Sequence, residues 1–147
     1  MENIGYLLAD NSRLARSEFD RQVREAGVTG PQARLLLTLD RAPGENQGFY
    51  ADRLEVKPIT LCRMVDRLEE AGLVERRADP ADRRGRRLHL TDRSTQMIAK
   101  LESRLAAMME EMLAGLDQAE REDFARMLRV IGSNLAARRE LAEVANG

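Results

Sequence analysis

The sequence predicts a mainly α-helical protein with one small β-hairpin, and three observations support that fold class. Aromatic residues make up only 3% of the chain and Trp is absent, whereas Leu, Ala, Arg, Glu and Met are abundant, and these residues favour helices. Apolar residues recur at helical spacing through most of the chain. In the stretch that departs from this pattern, Leu88 and Leu90 alternate with Arg87 and His89, as expected of a half-buried strand.

Composition also limits the classes of protein to which the chain can belong. Its 147 residues suffice for one domain with a hydrophobic core. A single Cys excludes an internal disulfide and fits a reducing compartment. No apolar run approaches the roughly 20 residues of a membrane-spanning helix, and the N-terminus lacks the basic start and apolar centre of a signal peptide. We therefore expect a cytoplasmic protein with no membrane partner.

Three helices are predicted in the first part of the chain. An apolar stripe that includes Ile4, Leu7 and Leu8 indicates a long helix over residues 3–24, which must pack on another segment or subunit because it has no core of its own. Residues 29–32 (TGPQ) form a capping-box motif before a helix that runs to about residue 38. A turn signal at residues 42–44 (APG) precedes a short helix at residues 47–54.

The central stretch, residues 56–91, combines an amphipathic helix with a basic hairpin. Pro58 suits the first helical position, and Gly72 can supply the left-handed residue that ends the helix. The inner face carries Leu61, Val65 and Leu68, and the outer face carries Thr60, Arg63 and Arg67. Residues 76–87 then place six arginines beside two aspartates. A helix with a basic outer face followed by a basic β-loop is typical of a winged helix-turn-helix, whose second helix enters the major groove of DNA.

Two long helices are predicted after the hairpin. Thr91 is a candidate N-cap for a helix over residues 92–116, and a second helix spans residues 118–141. Their apolar stripes exceed what one small central module could cover, which predicts a twofold homodimer held by the terminal helices. The predicted interface residues are Ile4, Leu7, Leu8, Phe124, Leu128, Ile131 and Leu135.

Two motifs in the central stretch resemble those of the MarR family of bacterial transcriptional regulators. VDRLEEAGLVER (residues 65–76) matches the family pattern D-x-L-E-x-x-G-L-[VI]-x-R, and DPADRRGRRLHLT (residues 79–91) matches the wing pattern D-x-R-x-x-x-[VIL]-x-L-T. The matching residues are Asp66, Leu68, Glu69, Gly72, Leu73, Val74 and Arg76, then Asp82, Arg84, Leu88, Leu90 and Thr91. Residues 43–56 (PGENQGFYADRLEV) are similar to the SlyA-like branch.

The resemblance implies a winged helix-turn-helix with long N- and C-terminal dimerisation helices. We expect an N-terminal dimerisation helix at residues 1–28, the DNA-binding region at residues 29–91 and C-terminal dimerisation helices at residues 92–147. The resemblance also implies a homodimeric repressor that binds a pseudo-palindromic operator in double-stranded DNA. It further implies release by a small aromatic or amphipathic effector, and no bound cofactor is expected.

The central helix contributes six residues to the predicted DNA-binding site. They are Lys57, Pro58, Ile59, Thr60, Arg63 and Arg67. We expect Arg63 to bind guanine O6 and N7, Thr60 to bond a base or a phosphate, and Pro58 or Ile59 to touch a thymine methyl. The remaining two cations are expected to meet phosphates, which fix register without reading sequence.

The hairpin contributes five more residues. Arg84 matches the arginine with which the family typically enters the minor groove, and Asp82 is expected to orient it. Arg83, Arg86 and Arg87 are expected to contact phosphates. A charge run is otherwise a solvated face, but this one occupies a predicted β-turn directly after a helix-turn-helix.

Two other functions stay open on the sequence alone. A winged-helix module can serve protein–protein contact, in which case DNA binding would be weak and insensitive to salt. Cys62 suggests a thiol-based redox-sensing regulator, although the chain has no second Cys to resolve a sulfenic acid. The sole histidine, His89, has too few companion ligands for a metal site. No catalytic motif is recognisable, so no enzymatic activity is expected.

Overall fold

The computed structural model of the protein describes residues 3–147, which form six helices and one two-stranded antiparallel sheet. The elements are α1 (Ile4–Ala26), α2 (Gly30–Arg41), α3 (Gln47–Leu54), α4 (Pro58–Glu70), β1 (Val74–Asp79), β2 (Asp82–Leu90), α5 (Ser94–Met112) and α6 (Gln118–Asn146). The predicted fold class, mainly α with one small β-hairpin, is confirmed.

Local signals position several helix ends. The Thr29 hydroxyl accepts a hydrogen bond from the N–H of Gln32 at 3.3 Å, and the Gln32 side chain accepts one from the N–H of Thr29 at 3.0 Å. The predicted capping box is therefore confirmed. Gly27 (φ 106°) and Gly72 (φ 76°) adopt the left-handed conformation just after α1 and α4. Because glycine adopts that conformation without strain, Gly72 ends α4 where the sequence predicts, and Gly27 ends α1 in the same way.

Three predicted boundaries of the last two helices are wrong. α5 begins at Ser94 rather than at residue 92 and ends at Met112 rather than at residue 116. Thr91 does not cap it, because its hydroxyl donates to the carbonyl oxygen of Gly72 at 2.5 Å. The carbonyl oxygen of Thr91 instead accepts from the buried hydroxyl of Ser94 at 2.5 Å. At the other end of the chain, α6 continues to Asn146, five residues beyond the predicted end at 141.

The structure divides into two compact units, Met1–Met108 and Met109–Gly147. The hydrophobic core lies in the first unit, where the end of α1 packs with α2, α3, α4, the hairpin and α5. Its largest fully buried residues are Tyr50, Leu35, Leu36, Leu39, Leu61, Leu68, Leu88 and Leu101. Arg104 and Lys100 of α5 hold α1 in this unit, since they donate to Glu25 Oε2 at 2.8 Å and to the Ala26 carbonyl oxygen at 3.3 Å.

The second unit contains the end of α5 and all of α6. Arg121 closes the turn between them, because its guanidinium donates to Glu110 Oε2 at 2.8 Å and to the carbonyl oxygens of Leu116 at 3.1 Å and Leu113 at 3.3 Å. α6, which is described in full, contains no buried residue. The division predicted from the sequence at residues 28 and 91 concerns function and stays a prediction.

The residues predicted at the dimer interface are largely exposed in a single copy of the chain. The exposed fractions are 70% for Ile4, 41% for Leu7, 40% for Leu8, 42% for Phe124, 40% for Leu128 and 58% for Leu135, while Ile131 is half-buried. Apolar surface of this extent on long helices marks an interaction site. Which residues meet which stays a prediction. No helix within residues 3–147 is both long and apolar enough to cross a bilayer.

Candidate nucleic-acid interface

Helix α4 is oriented by its apolar face. Leu61, Val65 and Leu68 are buried, as predicted, and Met64 joins them at 8% exposure. With these side chains held in the core, residues displaced by about 100° per position around the helix turn to solvent. Thr60, Arg63 and Arg67 are accordingly exposed.

The first turn of α4 is open to solvent. Lys57 occupies the N-cap position without a side-chain hydrogen bond to the helix, and Pro58 is the first helical residue. Lys57, Pro58, Ile59 and Thr60 are all exposed. The unpaired N–H groups of a first helical turn, together with the helix dipole, attract anions such as phosphate. The predicted helix residues therefore lie on one accessible end and face of α4.

The hairpin is anchored at its base to the segment that precedes α3. The N–H of Gly44 donates to the carbonyl oxygen of Leu88 at 2.9 Å, and the N–H of Leu88 donates to that of Glu45 at 3.0 Å. Asn46 adds an isolated β-bridge to Arg87. The base of the wing is thus tied by backbone hydrogen bonds to the helix-turn-helix.

The tip of the hairpin is irregular. Ala78 pairs with Arg86, but the next residue, Asp79, pairs with Asp82, so residues 83–85 bulge out of the ladder. Asp82 Oδ1 accepts from the N–H of Arg84 at 3.0 Å. The Asp82 carboxylate therefore orients the backbone at Arg84, not its guanidinium, and both Arg83 and Arg84 are exposed.

Ion pairing divides the basic residues into two groups. Arg77 pairs with Glu75, and Arg87 pairs with Asp79 at 3.3 Å. Arg86 donates to the carbonyl oxygen of Gly85 at 3.0 Å, so its side chain is held by a backbone oxygen. Within residues 3–147 no acidic partner is found for the side chains of Lys57, Arg63, Arg67, Arg83 and Arg84. These five cations, which we call the open cations, keep their charge available for an anionic partner.

Arg76 has a role that the sequence did not reveal. Its side chain is 17% exposed and joins three elements. From β1 it donates to Asp66 Oδ1 at 2.7 Å and Glu69 Oε1 at 3.1 Å on α4, and to Gln47 Oε1 at 2.9 Å on α3. It also donates to the carbonyl oxygen of Cys62 at 3.2 Å. The motif match named Arg76 without a contact, because its partners lie 7 to 29 residues away.

The same cluster explains why acidic residues of α4 do not neutralise the open cations. Burial lowers the pKa of Arg76, but the carboxylates of Asp66 and Glu69 outweigh that effect and raise it above its ordinary value. Glu69 accepts hydrogen bonds from both the backbone N–H and the guanidinium of Arg76. It therefore does not pair with Arg63. Arg63 therefore keeps its charge although two carboxylates of α4 are engaged by Arg76.

The two other residues singled out in the sequence lie outside the basic surface. Cys62 is half-buried, and its Sγ lies 3.7 Å from Nη2 of Arg76. His89 is half-buried beside the turn that contains Gly44. In the part of the chain that the structure describes, no group of three or more His, Cys, Asp or Glu residues could hold a metal ion.

Known proteins share this architecture. Residues 28–85 match the family model described as the MarR family. The chain is 29% identical over 131 residues to the HTH-type transcriptional repressor Rv2887 of Mycobacterium tuberculosis, which covers 89% of this chain and 94% of that protein. The structure of the transcriptional repressor CouR bound to a 23-mer DNA duplex has a TM-score of 0.77 and 30% identity, covering 88% of this chain and 92% of CouR.

A crystal structure of MarR is similar as well, with a TM-score of 0.81 and 28% identity over 94% of each chain. The helix-turn-helix formed by α3 and α4 and the β1–β2 wing are therefore those of a known class of regulator, as the sequence motifs predict. The chain belongs to the MarR family of DNA-binding transcriptional regulators.

Proposed function

We propose that two copies of this chain form a twofold dimer that binds a pseudo-palindromic operator and represses transcription by occluding promoter DNA. In each copy α4 enters the major groove and the wing reaches the adjacent minor groove. The observation that carries the proposal is the set of open cations, which occupy the exposed face of α4 and the bulge of the wing.

Different cations serve different parts of the duplex. Arg63 faces outward from the second turn of α4 and binds a guanine edge, whereas Arg84 enters the minor groove from the wing bulge. Lys57, Arg67 and Arg83 contact phosphates, joined by Arg86 and Arg87. Arg87 must share its charge with Asp79, so it contributes less than the others.

Dimerisation follows from the apolar surfaces that one copy leaves exposed. α6 buries nothing within its own unit, and Ile4, Leu7 and Leu8 are exposed on α1. A closed twofold arrangement covers the same patch on both copies. It also presents two copies of α4 to successive major grooves, about 10 bp apart centre to centre.

Relief of repression by a small aromatic or amphipathic effector is part of the proposal. The support is family membership, because effector release fits regulators of this kind. The protein acts where the DNA is, in the cytoplasm, and its activity is binding rather than catalysis. No resident cofactor takes part.

The test is selection of bound duplexes from random sequence, followed by fluorescence-anisotropy titrations of the selected operator. With about six to ten phosphate contacts per dimer, affinity is expected to fall roughly 10³–10⁵-fold between about 50 and 200 mM salt. Arg84→Ala weakens binding to all sequences and reduces the salt slope. Arg63→Ala also relaxes discrimination at one base pair of each half-site, at a cost of about 1–3 kcal/mol.

Arg24→Ala is the matched control, since it removes one exposed arginine from α1 and should leave operator affinity unchanged. Weak, salt-insensitive DNA binding would instead favour a winged-helix module for protein–protein contact. Equal binding by the parent, Arg63→Ala and Arg84→Ala proteins would overturn the assignment of the site.

A further inference from the structure

Ile59 is the one large apolar residue between residues 27 and 108 that is exposed to solvent. Of the sixteen large hydrophobic residues exposed in the described part of the chain, fifteen lie in α1 or between residues 109 and 144, and the sixteenth is Ile59, at 57% exposure. The other fifteen lie on α1 or in the C-terminal segment, the two parts of the chain for which we propose a dimer contact. Ile59 lies on the DNA-facing end of α4, so it requires a separate explanation.

Folding of α4 does not account for Ile59. Pro58 supplies the favourable first helical residue. Val56 before the helix and Leu61 within it are the two apolar residues at staple positions; Leu61 belongs to the core and Val56 packs against it. Ile59 is absent from that core and from the residues packed against it. Its side chain therefore adds exposed apolar surface without adding to the packing of the helix.

Ile59 is a direct neighbour of the residue proposed to read a base. Ile59 and Arg63 are four positions apart on α4, so their side chains share one face with Cβ atoms about 5–6 Å apart. Along the helix axis they are separated by roughly 6 Å, which is less than two base-pair steps of B-DNA. Both side chains are exposed. When α4 lies in the major groove, the side chains of Ile59 and Arg63 therefore face neighbouring base pairs.

The apolar group that an exposed isoleucine can contact in the major groove is the C5 methyl of thymine. We infer that Ile59 reads a thymine methyl within two base pairs of the guanine bound by Arg63, so that each half-site of the operator contains this thymine–guanine pair of contacts. The inference rests on the proposed DNA-binding function and adds the base composition of its target. Thr60, the next residue, bonds a base or phosphate and does not replace the methyl contact.

The expected effect follows from the size of the group. Burying one methyl against an apolar side chain is worth about 0.8 kcal/mol, or about fourfold in affinity. A dimer makes the contact twice. Removing the methyl from both half-sites should therefore weaken binding by about fifteenfold.

The experiment replaces each thymine of the selected operator by uracil, which removes only the methyl, and measures affinity for the parent and for Ile59→Ala. We expect one symmetry-related thymine position at which uracil costs the parent about fifteenfold and costs Ile59→Ala less than twofold. This double-mutant cycle isolates the contact from other effects of either change. Ile59→Val, which keeps a β-branched side chain, should retain most of the sensitivity to uracil.

The results separate the inference from the function on which it rests. If the protein selects an operator but no uracil substitution weakens binding in an Ile59-dependent way, the methyl contact is wrong while the DNA-binding function stands. If no duplex is selected over random sequence, the function itself fails. A change in self-association caused by Ile59→Ala cannot mimic the result, because uracil is introduced into the DNA and not into the protein.

Discussion

The guanidinium of Arg76, on the first strand of the wing, donates to the carboxylate of Asp66 on α4 across 2.7 Å. The same group reaches Glu69 on α4 and Gln47 on α3. The wing is also joined to the helix-turn-helix by the buried side chains of Val74 and Leu88 and by backbone hydrogen bonds at its base. Arg76 adds a polar tie between the helix that carries Arg63 and the hairpin that carries Arg84, two residues proposed to enter different grooves.

Replacing Arg76 should loosen this coupling. We expect Arg76→Met to lower the free energy of unfolding by about 1–2 kcal/mol and operator affinity by roughly tenfold, because the wing must then be ordered on binding. Chemical denaturation and anisotropy titrations measure the two effects. Arg77→Met is the matched control: it removes the same charge from the next residue of the strand, where the side chain is exposed and pairs with Glu75 on its own strand. Similar losses in both variants would contradict a specific role for Arg76.

Tyr50 secures the turn that leads into α3, and its hydroxyl can be tested alone. The hydroxyl donates to the carbonyl oxygen of Ala42 at 2.5 Å and accepts from the N–H of Glu45 at 3.1 Å. Tyr50→Phe should lower the free energy of unfolding by about 1–2 kcal/mol at neutral pH, because it removes two hydrogen bonds made by a fully buried side chain. Tyr6→Phe, at a residue that is 71% exposed, should have no measurable effect. A neutral result for Tyr50→Phe would show that water replaces the hydroxyl.

Alkaline pH gives a second test of Tyr50. Burial raises the pKa of its phenol above the ordinary value of 10.0. The folded state then keeps this proton to higher pH than the unfolded state does, so the contribution to stability is complete below pH 10 and is lost as the pH rises through the folded pKa. Above about pH 10 the stability of the parent should fall more steeply than that of Tyr50→Phe. Parallel denaturation midpoints for the two proteins would contradict the raised pKa.

Gly72 combines a left-handed backbone with a close neighbour. A Cβ at this position would lie 2.9 Å from Nη1 of Arg93, and φ is 76°. At Gly27 φ is 106°, and a Cβ there would point into open space. Both alanine variants should lose about 1–2 kcal/mol of stability from backbone strain. Gly72→Ala should lose about as much as Gly27→Ala, because Nη1 ends a flexible side chain that can move aside, and adding Arg93→Ala should change the loss little. A clearly larger loss at Gly72 that Arg93→Ala restores would contradict this expectation.

The proposed dimer can be tested on α6 with adjacent residues. Leu128→Gln replaces an apolar side chain of the proposed interface, whereas Arg129→Gln changes the exposed residue beside it. Because each dimer buries Leu128 twice, we expect the dimer dissociation constant to rise about 10–100-fold for Leu128→Gln. Sedimentation velocity measures it, and operator binding should weaken in parallel. A monomeric parent, or equal effects of the two variants, would overturn the interface.

Much of the fold could be predicted because its signals are local in the chain. The capping box at Thr29 and Gln32 involves residues three apart, and Gly72 ends α4 through its own backbone conformation. The apolar stripe of α4 recurs at helical spacing, so the side on which Arg63 lies could be predicted before any contact was known. Family motifs added the wing and the roles expected of its arginines.

Long-range contacts could not be predicted in the same way. Thr91 resembles an N-cap in the sequence, yet its hydroxyl bonds Gly72, which lies 19 residues earlier. The chain order does not show which arginines are neutralised, because Arg76 finds its acids on α4 whereas Arg83 and Arg84 protrude in a bulge. Helix periodicity and capping depend on residues within about one helical turn, so they can be recognised from the order of residues in the chain. Charge pairing and hydrogen bonding between elements depend on distances that exist only after the helices and the hairpin have packed.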